Sequence, residues 1–222
     1  MSAAVIQPSE VDESSGITTA PVSVVALKRR TIDLVLIAFG VVATVVFSVA
    51  GGLLTWGSSF ANDYVHNELS SQHISFPDAA TLTAEKRPDL LKFAGRSVDS
   101  GSAAQGYASY INGHLAGVAG GSTYADLSGP QTAANAAVKA AVAANEPQPA
   151  VDALKAKADA ITGQRTTLFT GETLRGLLLT AYAWSTVGRI AGYAAIGAFV
   201  ASGLMLILVV IGVIRFPRVR RT

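Results

Sequence analysis

Two stretches of this chain, residues 34–56 and 190–214, contain no charged side chain. As helices, their 23 and 25 residues would rise about 34 and 38 Å, enough to cross a hydrocarbon core of about 30 Å. The composition points the same way. Only 14% of the residues are charged, against about a quarter in a soluble domain, a deficit expected of segments whose solvent is lipid. The apolar pattern of the second stretch begins earlier, near Gly176, but Arg189 interrupts it. A helix over 176–214 would measure about 58 Å, too long for one crossing. Arg189 is therefore predicted at the outer interface, where a long side chain can snorkel, with a helix over 174–189 standing above the membrane. Trp56, Tyr182 and Trp184 fall near the same boundary, as an aromatic belt would.

Basic residues set the orientation. Lys28, Arg29 and Arg30 precede the first stretch, and Arg215, Arg218, Arg220 and Arg221 follow the second. On the other side only Arg175 and Arg189 lie close to a span end. The excess predicts both termini in the cytoplasm and residues 57–189 outside a plasma membrane. The same cations would draw anionic lipid at about 1 kcal/mol each. A competing pattern is a signal-peptide cleavage site, with Ser48 and Ala50 at its small-residue positions. Cleavage after Ala50 would leave one span. The long stretch before it, and the apolar run that continues through Leu53 and Leu54, weigh against it. Gly188 with Gly192, Gly197 with Ala201, and Ala198 with Ser202 repeat a four-residue small spacing, which predicts that the two spans pack on each other.

The chain then reads as mainly α: two transmembrane helices flanking a small helical extracytoplasmic domain with an Ala-rich αα-hairpin. Residues 1–30, with Glu10, Asp12, Glu13 and no periodicity, form a disordered tail with a basic flank. Residues 31–56 make the first span, opened by Thr31 and by Asp33, an acid favoured at a helix N-terminus. Phe60, Tyr64 and Asn67 or Glu68 continue its period as a stalk toward Ser71. "ISFPD" stops it at Pro77, "TAEKRPD" is a charged surface loop, and Leu90, Leu91 and Phe93 form an apolar patch. "SAAQ" reads as a capping box, with Ser102 at the N-cap and Gln105 three residues on. The helix it opens carries Tyr107, Tyr110, Ile111, His114, Leu115 and Val118 on one stripe and stops at Gly120 and Gly121. Over 130–164, Pro130 suits a first helical position, and Pro147 and Pro149 divide an Ala-rich run into helices near 131–145 and 150–162. Their seam is thin: Ala134, Val138, Ala141 and Val142 against Val151, Leu154, Ala158 and Ile161. Residues 190–214 are the second span and 215–222 a basic tail.

The absence of cysteine excludes disulfides, thiolate nucleophiles and Cys-based metal centres. A net charge of +2 is too small for nucleic-acid binding by bulk electrostatics. No phosphate-binding loop, dinucleotide-binding glycine pattern or nucleophile elbow is present. His66 and His73 lie about 10.5 Å apart along a helix, too far to share one zinc ion. A set assembled in space, such as His66, His114 and Asp99, stays open. His114, between tyrosines on the stripe, is expected to pack, and no catalytic, cofactor or metal residue is predicted.

The run "KFAG", then "YASYINGHLAGVAGGSTYADL" and "TGETLRGLLLTAYAWSTVG", together with the two spans, resembles a family of small two-span membrane proteins of actinobacteria whose function is unknown. The likeness covers roughly residues 31–127 and 165–215, and the Ala-rich hairpin stands as an insertion. It implies the two-span architecture. Some such proteins carry an aromatic ring-opening dioxygenase label, but iron-dependent ring opening needs a facial ligand set around open positions, and no such spacing stands here. Two readings follow. One is a non-enzymatic accessory protein that offers its outer helices to a membrane or envelope partner, or to another copy of itself. The other is an envelope small-molecule- or metal-binding protein or enzyme centred on His114, Tyr107 and Tyr110, with Tyr124 as a further candidate.

Overall fold

In the computed structural model, which describes residues 29–215, every regular element is helical. Among the described residues there is no strand, only one antiparallel bridge between Ser75 and Ser97. Lys28, Arg218, Arg220 and Arg221, and nearly all of both predicted tails, lie outside the described residues, as do the side chains of Arg29 and Arg30.

Two helices dominate. α1 (Arg29–Ser70) has 42 residues and α5 (Gln148–Arg215) has 68, so they rise about 63 and 102 Å. Both are long and apolar enough to cross a membrane. Only 11% and 6% of their most apolar stretches are buried, unlike a soluble core helix, which is covered all round. Leu36, Phe39, Val42 and Leu53 on α1, and Ile190, Val200, Leu204 and Leu208 on α5, face outward.

α1 and α5 pack on each other, as the small residues at Gly188 and Gly192 predict, and they run antiparallel. Their pairs climb one helix and descend the other in step. A Cβ on Gly40 would meet Val209 at 2.6 Å, one on Gly51 the Phe199 ring at 2.9 Å, and one on Gly188 Ala61 at 3.1 Å. Gly212 abuts Ile37 and Gly192 abuts Ser58. Between them Ser48 Oγ and Ser202 Oγ lie 2.8 Å apart, and Ser202 Oγ also donates to the Thr44 carbonyl at 3.1 Å. The buried hydroxyl is thus satisfied. This register brings residues 34–56 and 190–214 level to within about one helical turn. The seam differs in detail from the predicted four-residue repeats. On α5 its buried members are Gly188, Ala195 and Ser202, seven apart, the period of a left-handed pair. A Cβ on Gly197 would meet nothing within 4 Å.

α5 overturns one expectation. The helices predicted over 150–162 and 174–189 are one unbroken helix with the second apolar stretch. Thr162, Thr166, Thr167, Thr173, Thr180 and Thr186 each donate a hydroxyl to the carbonyl four residues back, so their oxygens do not compete for other backbone geometries. Tertiary packing carries the helix across its glycines: Leu168 is buried against Leu115 and Leu127, and Gly171 sits on Leu115. α4 (Ser128–Ala143) starts earlier than predicted, with Pro130 in its first turn. It lies along the first part of α5, where Gln131 Nε2 donates to Thr162 Oγ1 at 2.9 Å. Ala134, Ala141, Val151 and Ala158 are buried as expected, but Val142 is 55% exposed.

The stalk of α1 continues to Ser70 with a different inner face. Ala61, Val65 and Leu69 are buried, whereas Phe60 and Tyr64 are exposed. The loop from 71 to 100 is folded, not a free surface loop. α2 (Ala79–Ala84) is capped by the Asp78 carboxylate, which accepts from Thr81 N at 2.7 Å. A 3₁₀ helix over Pro88–Phe93 follows. Together with α3 (Gly101–Leu115) they close a small core of Val65, Leu69, Phe76, Leu82, Leu90, Phe93, Val98 and Leu178. The α3 cap is Ser100, not Ser102: its hydroxyl accepts from Ala103 N. Starting there sets Gly101 directly on α5, where a Cβ would strike Ser185 at 2.3 Å. α3 also stops earlier, at Leu115; Ala119, Gly120 and Gly121 take left-handed φ in the turn beyond.

Candidate functional site

The tyrosine–histidine stripe of α3 is the place to look for chemistry. The face that packs is mainly small: Gly101, Ala104, Ala108 and Leu115 are buried. The larger residues stand on its flank. Tyr107, Tyr110 and Ile111 are partly buried against the core, with Tyr107 edge-on to Phe76 at 5.3 Å. Gly106 makes room for Phe93 and Phe76. His114 is not packed as predicted, for its side chain is 54% exposed. It meets the Tyr110 ring edge-on at 4.5 Å, and its Nε2 lies 3.9 Å from Glu85 Oε1. Tyr110 OH donates to that same oxygen at 3.3 Å. Burial first, and then Glu85, raise the Tyr110 phenol above its ordinary pKa.

Two residues on from Glu85 stands Arg87, which the sequence did not single out. Arg87 grips Asp89 twice, at 3.0 and 2.8 Å, and donates to the Ser109 carbonyl and hydroxyl at 3.0 and 2.8 Å. The bidentate pair keeps the Asp89 carboxyl below its usual pKa. Gly113 leaves space for the guanidinium, and Lys86 takes a left-handed φ of 58° to turn the chain into it. "RPD" carried the signal: Pro88 fixes the backbone between an arginine and an aspartate two apart. The group as a whole ties the 85–89 turn to α3. Among the described residues no imidazole nitrogen is hydrogen-bonded to a hydroxyl, so no nucleophile–base pair is formed.

The other candidates do not join it. His66 Nδ1 contacts the Asp99 carbonyl at 3.0 Å, while His114 stands at the far end of α3, about 20 Å along its axis. The open set of His66, His114 and Asp99 is therefore not assembled, and no three His, Asp or Glu side chains gather as metal ligands among the described residues. Tyr124 packs against α5, 5.7 Å from Phe169 and under Arg165 at 4.1 Å. Arg165 also donates to the Tyr124 carbonyl at 3.3 Å and to Gln131 Oε1, which locks α4 onto α5.

At the predicted boundary, Trp56 is 67% exposed and stacks on Phe60 at 5.7 Å. Trp184 is exposed but not level with it. Ser58 opposes Gly192, so Trp184 stands about 15 Å farther along α5. Tyr193, 74% exposed, is the α5 aromatic at about the height of Trp56. Arg189 is exposed, and its guanidinium donates back toward Thr186 Oγ1 at 3.1 Å, away from residues 190–214. At the opposite end Arg215 and Asp33 flank one groove. Comparison with protein-family models, with curated proteins and with solved structures yields no match.

Proposed function

We propose that this chain is an integral membrane protein that crosses the plasma membrane twice and holds a helical domain outside to engage a partner in the membrane or envelope. In this reading residues 34–56 and 190–214 are the spans, both termini are cytoplasmic, and residues 57–189 are extracytoplasmic. The domain comprises the α2–α3 cap and the α4–α5 pair, which form the Ala-rich hairpin. Its role is non-enzymatic, and the chain belongs with the actinobacterial two-span proteins it resembles.

One observation carries the reading. Two uncharged segments, far apart in sequence, lie level in one helix pair and turn their large side chains outward. Such a surface is stable only where lipid or protein covers it. The lean of α5 side chains toward the helix N-terminus lets Arg189 reach outward, as an interfacial cation does. The partner is argued from Leu177, Trp184 and Val187, which are 64, 51 and 54% exposed beyond the end of the second span.

The test is membrane extraction with single-cysteine labelling, made clean by the natural absence of cysteine. The chain should resist alkaline carbonate. In intact cells a membrane-impermeant maleimide should label cysteine placed at Lys139 but not at Ser2. Labelling at Ser2, or release by carbonate, refutes the topology. Purification in mild detergent should then retain a stoichiometric protein companion. A lone monomer under several mild conditions argues against the partner.

A further inference from the structure

We infer that the groove between α1 and α5 at their Asp33–Arg215 end is a binding site for one anionic phospholipid, its acyl chain lying in the groove and its phosphate on Arg215. This rests on the two-span reading.

The groove measures about 530 Å³, within the range of ligand sites. Leu36, Ile37, Phe39, Met205, Leu208 and Val209 line it. It exists because Gly40 and Gly212 bring the helices together: their missing side chains admit Val209 and Ile37, so a hollow is left beside the contact. Away from Asp33 and Arg215 its walls are apolar side chains and two glycines. Met205 is a flexible thioether that adapts to an irregular chain. Within a bilayer an apolar hollow open on its side fills with the hydrocarbon beside it.

The mouth selects the headgroup. Arg215 presents a planar guanidinium suited to a phosphate. Asp33 lines the same mouth and is half-buried. Its charge lies in the second turn of α1, one turn past the helix start at Arg29. The sequence places Arg29 and Arg30 in the turn before it and Arg215 at the end of α5, three cations to one acid over these residues. The complement is a phospholipid that lays one acyl chain in the groove and whose phosphate bears no cationic headgroup.

Native mass spectrometry of the full chain tests this, after carbonate extraction has established membrane integration. The protein is released from nanodiscs containing equal parts phosphatidylglycerol and phosphatidylcholine. One phosphatidylglycerol should remain per chain, and phosphatidylcholine should not. Arg215→Gln should weaken retention about fivefold, the value of one basic contact near an anionic surface. Leu36→Trp, at a position already 62% exposed, should fill the hollow and displace the lipid without disturbing the seam. Arg189→Gln, at the other end, should change nothing. Equal retention of both lipids, or no loss in either groove variant, overturns the site even though the protein is membrane-integrated. A second copy released by Leu36→Trp overturns it in favour of self-association. Carbonate release would fail the two-span reading and the site together.

Discussion

The antiparallel register of α1 and α5 can be tested by a single covalent bond. Ser48 Oγ and Ser202 Oγ are 2.8 Å apart across the seam, and the chain has no cysteine of its own. A Ser48→Cys, Ser202→Cys double variant should therefore close a disulfide under mild oxidation with little movement, because the sulfur–sulfur bond needs about 2.05 Å and a Cα separation below about 7 Å. Pairing Ser48→Cys with Ala195→Cys instead asks for a slip of one heptad, about 10.5 Å, beyond that reach. The bond would close a loop of about 155 residues, worth up to about 5 kcal/mol if chain entropy dominates. The bridged protein should therefore melt at a higher temperature than its reduced form. The assay is mobility on a non-reducing gel, with the bridge confirmed by mass spectrometry. A disulfide in the Ala195 pair and none in the Ser202 pair would refute the register, and with it the level alignment of the two apolar segments.

Leu82 is fully buried beneath α2, so Leu82→Ala should cost about 2–5 kcal/mol and lower the melting temperature of the cap by circular dichroism. His114→Ala, at an exposed side chain with a 3.9 Å pairing to Glu85, should cost less than about 1 kcal/mol in the same measurement; a larger loss would show that the His114–Glu85 contact matters more than its geometry allows. Stability of the cap should fall at both an acid and an alkaline limb. Asp78 and Asp89 have lowered pKa values through Thr81 and Arg87, so their contribution is present above about pH 4, the unfolded carboxylate range, and lost as pH falls through the folded values. Tyr110, raised by burial and Glu85, contributes below about pH 10 and is lost as pH rises past it; Tyr110→Phe should remove that limb from a pH–melting series. Amide exchange should be fastest in α4, whose buried residues are only alanines, and slower in α3, which rests on the main core.

Much of the scaffold is legible in the residues because it rests on local chemistry. The charge-free runs at 34–56 and 190–214, the small residues at Gly188 and Gly192, and the Val151–Leu154–Ala158–Ile161 stripe need no distant neighbour to be recognised. The misread features all depend on one. A propensity argument ends a helix near Gly163, but Leu168 and Gly171 dock on Leu115 and carry α5 through. Large side chains suggest that Tyr107, Tyr110 and His114 form the inner face of α3. Yet α5 approaches so closely at Ser185 that only Gly101 and the alanines fit between, and His114 is left outside. Arg87 looks like a surface cation until Ser109 and Gly113 are set beside it.

From its amino acids alone this protein is a helical chain with two segments suited to lipid, because hydropathy and helix periodicity are properties of a single stretch. The tertiary structure alone decided which face of each helix is covered, that one helix of 68 residues joins the second apolar segment to the α4 contact, and that the tyrosine–histidine stripe forms a surface latch. Those outcomes depend on how closely two backbones approach, and that distance is set jointly by residues far apart in the sequence, such as Gly101 with Ser185 and Gly40 with Val209.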